Sequence, residues 1–283
     1  MGNIYRQIKT YGIFANTLKI IALIAMLVDH IAVYFYWYIP ETVQDVMRGF
    51  GRIAMPLFVF LLVQGFFKTK NFKKYVIRVG ICAITTQVLI SILGYINVKF
   101  YPDYAIQVYT FGNILFSFVL ALLLLKIVHE PIILSKYTKE QNIIIRIILG
   151  IAIMSVYVFV NIDYGVTVPI LAMLLYAVER FRITVLITKS KPNFSFKGIV
   201  INTVDELTID RIYKGLIVLC LLLVIVFCKV NIWALVSVLP IILYNGEKRS
   251  QRKRQKMFYY VFFPLHHALL YSAAMLLKYM IWE

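Results

Sequence analysis

Apolar residues in this chain come in unbroken runs, and those runs limit what it can fold into. IIALIAMLV (20–28), VFLLV (59–63), LALLLL (120–125) and LIVLCLLLVIVFC (216–228) are examples. A domain surrounded by water would have to expose much of this as large greasy patches. Composition agrees: 61% of the 283 residues are hydrophobic and 15% are charged, with a mean hydropathy of +0.82. Typical soluble domains hold about 45–50% apolar residues. An ordinary soluble domain is excluded, and so is disorder, which requires low hydrophobicity. Runs of helical length point to helices, which satisfy their own backbone groups in lipid. The expected fold is an all-α, polytopic integral membrane protein, with residues 1–283 forming a single transmembrane domain.

Nine spans are predicted: Leu18–Ile39, Ile53–Phe67, Tyr75–Asn97, Tyr109–Lys126, Ile143–Val160, Val166–Val178, Leu216–Cys228, Ile232–Tyr244 and Phe258–Ile281. Basic and non-basic connections alternate between them. Lys68, Lys70, Lys73 and Lys74 follow span 2, and Lys136, Lys139 and Arg146 follow span 4. The longest link, Glu179 to Lys214, and the cluster from Lys248 to Lys256 are also basic. Under the positive-inside rule this puts the N-terminus in the cytoplasm and the C-terminus outside. Strongly basic flanks on both sides of 216–244 require an even number of crossings there, hence a hairpin at Lys229-Val230-Asn231. The first apolar run is too long for a signal-peptide core and is read as a retained span. No internal repeat is evident, and an odd count fits poorly with a simple duplicated transporter.

The net charge is +17. Because the basic residues sit between apolar runs, they are read as topology determinants that also meet anionic lipid headgroups, and nucleic acid is not an expected partner. Cys82, Cys220 and Cys228 lie inside apolar runs without ligand spacing, so packing is their expected role. Neither a phosphate-loop glycine pattern nor HExxH nor GxSxG occurs.

Titratable groups inside spans cost free energy and point to function by default. Asp29-His30 lies in span 1, where a carboxylate beside an imidazole suits a general base; the alternative is a structural polar pair between helices. Lys19 precedes His30 by eleven positions, close to three turns and roughly 16 Å along one face. It either snorkels at the cytoplasmic border or meets an anionic group. Arg52 either anchors at the outer interface or pairs with Asp29 or a bound carbonyl. Gln64, Gln87, Asn113 and Asp163 either glue helices or orient a substrate. His266-His267 is a vicinal pair whose directions diverge, so at most one member is expected in a site. Together with His30 they lack a defined fourth ligand, and no metal is expected.

Taken together, LKIIALIAMLVDHI (18–31), GRIAMPLFVFLLVQGFFKTKNFKKYVIR (51–78), FGNILFSFVLALLLL (111–125), NIDYG (161–165), LPIILYNGEK (239–248) and YYVFFPLHHALLY (259–271) resemble the TraX family. That family includes a conjugation protein implicated in N-acetylating pilin. It is similar to the wider membrane acyltransferases, acyltransferase-3 proteins among them. Lys19 and His30 match the basic residue and first-helix His of the latter. The resemblance implies a membrane-embedded acetyltransferase of the bacterial plasma membrane, moving an acetyl group from cytoplasmic acetyl-CoA to an amine or hydroxyl acceptor on an exported peptide or cell-envelope glycan. It assigns catalysis to His30, Asp29, His266 and Arg52. Lys19, Lys68, Lys70, Lys73, Lys74 and Arg78 would hold CoA, with Gln64, Asn113 and Asp163 on the substrate. Two departures stand out: Gln64 occupies a position where Glu is expected, and His266 is followed by a second His. The rival classes are a proton-coupled transporter or lipid flippase using the Asp-His pair, and a scaffold without chemistry.

Overall fold

A computed structural model of the protein describes residues 12–100, 112–130, 136–160, 162–189, 206–246 and 253–282. These form helices α1 (Ala15–Tyr34), α2 (Glu41–Gly51), α3 (Ala54–Lys68), α4 (Phe72–Phe100), α5 (Ile114–His129), α6 (Lys139–Phe159), α7 (Thr167–Lys189), α8 (Glu206–Cys228), a 3-10 helix (Ile232–Ser237), α9 (Val238–Ile242) and α10 (Lys253–Trp282). Among the described residues the β-structure is one isolated bridge, between Ile13 and Tyr244. The all-helical expectation holds.

Among the described residues, six segments are long and apolar enough to cross a membrane: Ala15–Tyr34, Glu41–Lys68, Phe72–Ile96, Lys139–Phe159, Thr208–Cys228 and Met257–Ile281. The other three predicted spans differ for visible reasons. The fourth is shortened at its start, because the Asn113 side chain caps α5 by accepting from Leu115 N–H. The sixth is part of α7, which carries Glu179, Arg180 and Arg182 along its length. The eighth is a six-residue 3-10 helix followed by a five-residue α-helix. The chain does break at the predicted turn before it. Lys229 adopts φ 51°, which ends α8, and Asn231 caps the 3-10 helix through Trp233 N–H.

α3 is the central element. It packs on α1, α5, α7 and the 3-10 helix, burying Met55, Leu57, Val59, Phe60 and Val63. α10 lies against α4 and α1. It runs in the same direction as α1, since Lys19 meets Tyr259, His30 meets His266, and Tyr34 meets Tyr271. Outward faces are apolar too. Ile77, Ile81, Ile84, Val88, Ile92 and Tyr95 line one exposed stripe of α4, and Ile144, Ile147, Ile148 and Ile151 one of α6. Apolar residues at helical spacing on the outside, around a packed apolar inside, are what a bilayer stabilises and water does not. The chain is a membrane protein.

Candidate functional site

The polar interior is built where α1 meets α10. His30 Nδ1 lies 2.7 Å from His266 Nε2, and their rings stack with centroids 4.9 Å apart. His266 Nδ1–H donates to the Phe262 carbonyl one turn earlier (2.9 Å). A carbonyl can only accept, so that bond fixes the tautomer: His266 Nε2 carries a lone pair and accepts from His30 Nδ1–H. The Nε2 atom of His30 is then the basic one. His267 is also present, its ring centroid 4.5 Å from that of His30 and its Nδ1 2.7 Å from Tyr34 Oη. His266 and His267 are buried while His30 is half-buried. The expectation that only one of the vicinal pair reaches the site is corrected. Their directions diverge on α10, but His30 projects from α1 into the angle between them.

Asp29 does not orient His30. It turns away to Arg48 Nη1 at 3.4 Å, and α2 packs so closely here that a Cβ on Gly51 would lie 2.3 Å from Asp29 Cβ. Two neighbours on one helix point about 100° apart, so adjacency in sequence does not make them partners. Arg52 donates to Tyr164 Oη (3.1 Å), in the turn where Tyr164 has φ 62°. Asp163 stands in the same turn; burial pushes its carboxyl up from the ordinary range while Arg52 pulls it down. A cleft of about 530 Å³ opens there, lined by Tyr157, Phe159, Ile162, Asp163 and Tyr164. A larger one, about 690 Å³, lies between α5 and α6 and is lined by Leu124, Ile147, Met154 and Met173, with none of the polar centre in its wall.

Asn113 is placed differently from its expected role. Its amide hydrogens go to the Ala83 carbonyl (3.0 Å) and Gln87 Oε1 (3.3 Å), and its Oδ1 caps α5. Gln87 Oε1 also accepts from the backbone N–H groups of Gly112 and Asn113. This is helix-to-helix glue that leaves Asn113 no donor for a substrate.

A second polar cluster lies near the other end of the bundle. Gln64 Nε2 donates to Glu179 Oε2 (2.8 Å), which also accepts from Tyr213 Oη (2.6 Å). Arg182 Nη1 is 3.8 Å from Glu179 Oε1 and lies over the Tyr213 ring. The carboxylate that the resemblance expects at position 64 is therefore supplied beside it by α7. Gln64 Oε1 is buried without a hydrogen-bond partner. Lys68 donates to Tyr244 Oη (2.9 Å) and the Gly246 carbonyl (3.0 Å), and Lys19 lies 5.0 Å from the centre of the Tyr259 ring. Lys70, Lys73, Lys74 and Arg78 are exposed around the α3–α4 turn. Lys248, Arg249 and Arg252 lie outside the described residues.

Tyr34, Arg48, Tyr164, Glu179 and Tyr213 were not singled out from sequence. Glu179 carried a usable signal, a carboxylate directly after the apolar run LAMLLYAV. The tyrosines carried none, since Tyr is abundant throughout.

A family model described as TraX protein matches residues 15–273. Among curated proteins, the chain is 36% identical over 117 residues to one described as "Probable fimbrial assembly protein FimC, serogroup H1" of Dichelobacter nodosus, covering 40% of this chain and 46% of that protein. It is 38% identical over 81 residues to "Uncharacterized protein RP591" of Rickettsia prowazekii (strain Madrid E), covering 28% of each. The chain thus spans less than half the length of these relatives. No solved structure matches.

Proposed function

Because the chain belongs to the TraX family, we propose that it is a membrane-embedded acetyltransferase of the bacterial plasma membrane, carrying acetyl groups from cytoplasmic acetyl-CoA to an amine or hydroxyl acceptor at the outer side. The observation that carries this reading is the His30–His266 contact across the α1–α10 seam. In the reaction, His30 Nε2 takes the acceptor's proton as its nitrogen or oxygen attacks the thioester carbonyl. The charge is shared through Nδ1–H with His266 Nε2. The C–S bond then breaks and the proton returns to the departing thiolate. Arg52, with guanidinium N–H groups beyond the one on Tyr164, is the candidate for the developing oxyanion. Capture of the acetyl group on the same Nε2 before transfer is the covalent version of this chemistry.

Nine crossings with a cytoplasmic N-terminus are proposed with it, supported by the parallel run of α1 and α10. On that topology Lys68, Lys70, Lys73, Lys74 and Arg78 form a basic rim on the cytoplasmic face, suited to CoA phosphates, with Lys19 at the foot of the seam. Membrane lipids surround the outward faces, and the acceptor is an exported peptide or envelope glycan. The fimbrial name of one relative is in keeping with an exported peptide. The transport reading loses its motive, since Asp29 and His30 are not paired.

The test uses purified protein in nanodiscs with acetyl-CoA and amine or sugar acceptors, following thiol release and acetylated product. His30→Ala is expected to lose at least 100-fold in transfer while CoA still raises its melting temperature. Full transfer by His30→Ala, or neither thiol release nor CoA stabilisation in the unaltered protein, overturns the proposal.

A further inference from the structure

The three imidazoles that converge at the α1–α10 seam also form a ligand set. Among the described residues, His30, His266 and His267 make a group of three whose ligand atoms all lie within 4.8 Å of one another. Two of them are oriented from behind in the manner of metal-bound histidines, whose second ring nitrogen is held by a carbonyl or other polar partner. His266 Nδ1–H is held by the Phe262 carbonyl, and His267 Nδ1 meets Tyr34 Oη. The carbonyl leaves His266 Nε2 as the ligand atom, and His267 offers its Nε2 in the tautomer whose Nδ1–H donates to Tyr34 Oη. With His30 Nδ1, once its proton has moved to Nε2, they offer three neutral nitrogens, the donor set favoured by Zn²⁺ and its late first-row neighbours.

We propose that His30, His266 and His267 bind one divalent transition-metal ion of the zinc class, leaving a fourth position open. Divergence of the vicinal pair does not keep the two imidazoles from one ion, because His30 packs against both of their rings. The missing fourth protein ligand is no obstacle either, because three-histidine zinc sites with an open position are a recognised type. Nitrogens bound to one tetrahedral ion at about 2.0–2.1 Å stand about 3.3 Å apart. The 2.7 Å His30–His266 contact must therefore open by roughly half an ångström for the ion to enter. The ion takes the place of the proton those two rings share, so metal binding and proton relay exclude each other. Metal binding stands on geometry alone; the consequence that Zn²⁺ stops acetyl transfer rests on the function proposed above.

Full-length protein stripped with chelator and reconstituted in nanodiscs is titrated with Zn²⁺ by calorimetry, and with Co²⁺ by visible spectroscopy. One equivalent is expected, with a tetrahedral Co²⁺ spectrum. His266→Ala and His267→Ala are expected to lose at least 100-fold in affinity, and Tyr34→Phe, which frees the back of His267, about 10- to 100-fold. His129→Ala, the fourth histidine, bound to Tyr176 and Arg180, is expected to bind as the unaltered protein does. His267→Asn serves as a second variant if His267→Ala fails to fold. Absence of stoichiometric binding, or binding that survives removal of His266 and His267, overturns the site. Undiminished thiol release at saturating Zn²⁺ overturns the mutual exclusion without touching the acetyltransferase reading.

Discussion

Exchanging Gln64 and Glu179 tests whether the buried cluster on α3 and α7 needs one carboxylate, on either helix. The two side chains meet at 2.8 Å, and both residues are buried. In Gln64→Glu two carboxylates face each other at that distance. At an effective dielectric of about 20 their repulsion is about 6 kcal/mol. Taking up a proton at pH 7 is cheaper, about 4 kcal/mol for a carboxyl that ionises near pH 4.3 in water. The expected loss is therefore about 4 kcal/mol. Glu179→Gln turns two charge-assisted bonds, from Gln64 and Tyr213, into neutral ones, a loss of about 2 kcal/mol. The double exchange restores one carboxylate and one amide, with Tyr213 Oη within reach at 3.3 Å from the position-64 nitrogen. It is expected to stand within about 1 kcal/mol of the starting protein. The singles sum to about 6 kcal/mol, so the coupling is about 5 kcal/mol. Equilibrium unfolding in mixed micelles at increasing SDS reads all four proteins. Additivity within about 0.5 kcal/mol would show that the two side chains do not share one charge, and the compensation reasoning would fail.

Gly51→Ala puts a Cβ 2.3 Å from Asp29 Cβ and is expected to cost about 1–3 kcal/mol through overpacking; Asp29→Gly in the same protein, which removes the opposing Cβ, should relieve most of that clash in the same unfolding assay. Asn113→Ala removes the α5 cap and the bonds to Ala83 and Gln87, for an expected loss of about 1–3 kcal/mol. Transfer per folded molecule should change less than threefold, whereas a substrate-donor role would lower it by a hundredfold or more.

The helices were legible wherever an apolar run had its own boundary signal. Tyr75–Asn97 and Phe258–Ile281 fall inside α4 and α10, and the break at Lys229–Asn231 follows from charge parity across 216–244. The misses share a cause. Span prediction ends a helix where lipid-compatible residues end, but a protein interior extends it by pairing charges. α7 continues past Val178 because Glu179 finds Gln64 and Tyr213, and Arg182 finds Glu179 and the Tyr213 ring. What reads along the chain as the first residues of a basic loop is the buried start of a polar cluster. α8 likewise begins at Glu206, with Lys214 paired to Asp210 one turn earlier.

The site was legible as a set of residue types and not as a set of partners. A polar group inside a span announces itself because lipid offers it nothing, so His30, Asp29, Gln64 and the vicinal histidines stand out in sequence. Which group satisfies each of them is decided by helices far away in the chain. His30 and His266 are 236 positions apart, and Gln64 and Glu179 are 115 apart. Sequence adjacency suggested Asp29 for His30, but helical geometry separates neighbours by about 100° and hands Asp29 to Arg48 instead. The consequence is chemical as well as structural. A carboxylate behind His30 would hold a proton firmly and favour a charged imidazole. A second neutral imidazole behind it shares the proton without a fixed charge, and the same lone pairs will also take a metal ion. Replacing Asp29 by Asn should therefore disturb the α1–α2 packing and leave the tautomer of His30 as His266 sets it, which ¹⁵N chemical shifts of the labelled imidazoles can read directly. A change of tautomer in Asp29→Asn would return the orienting role to the carboxylate and take it from the seam between the first and last helices.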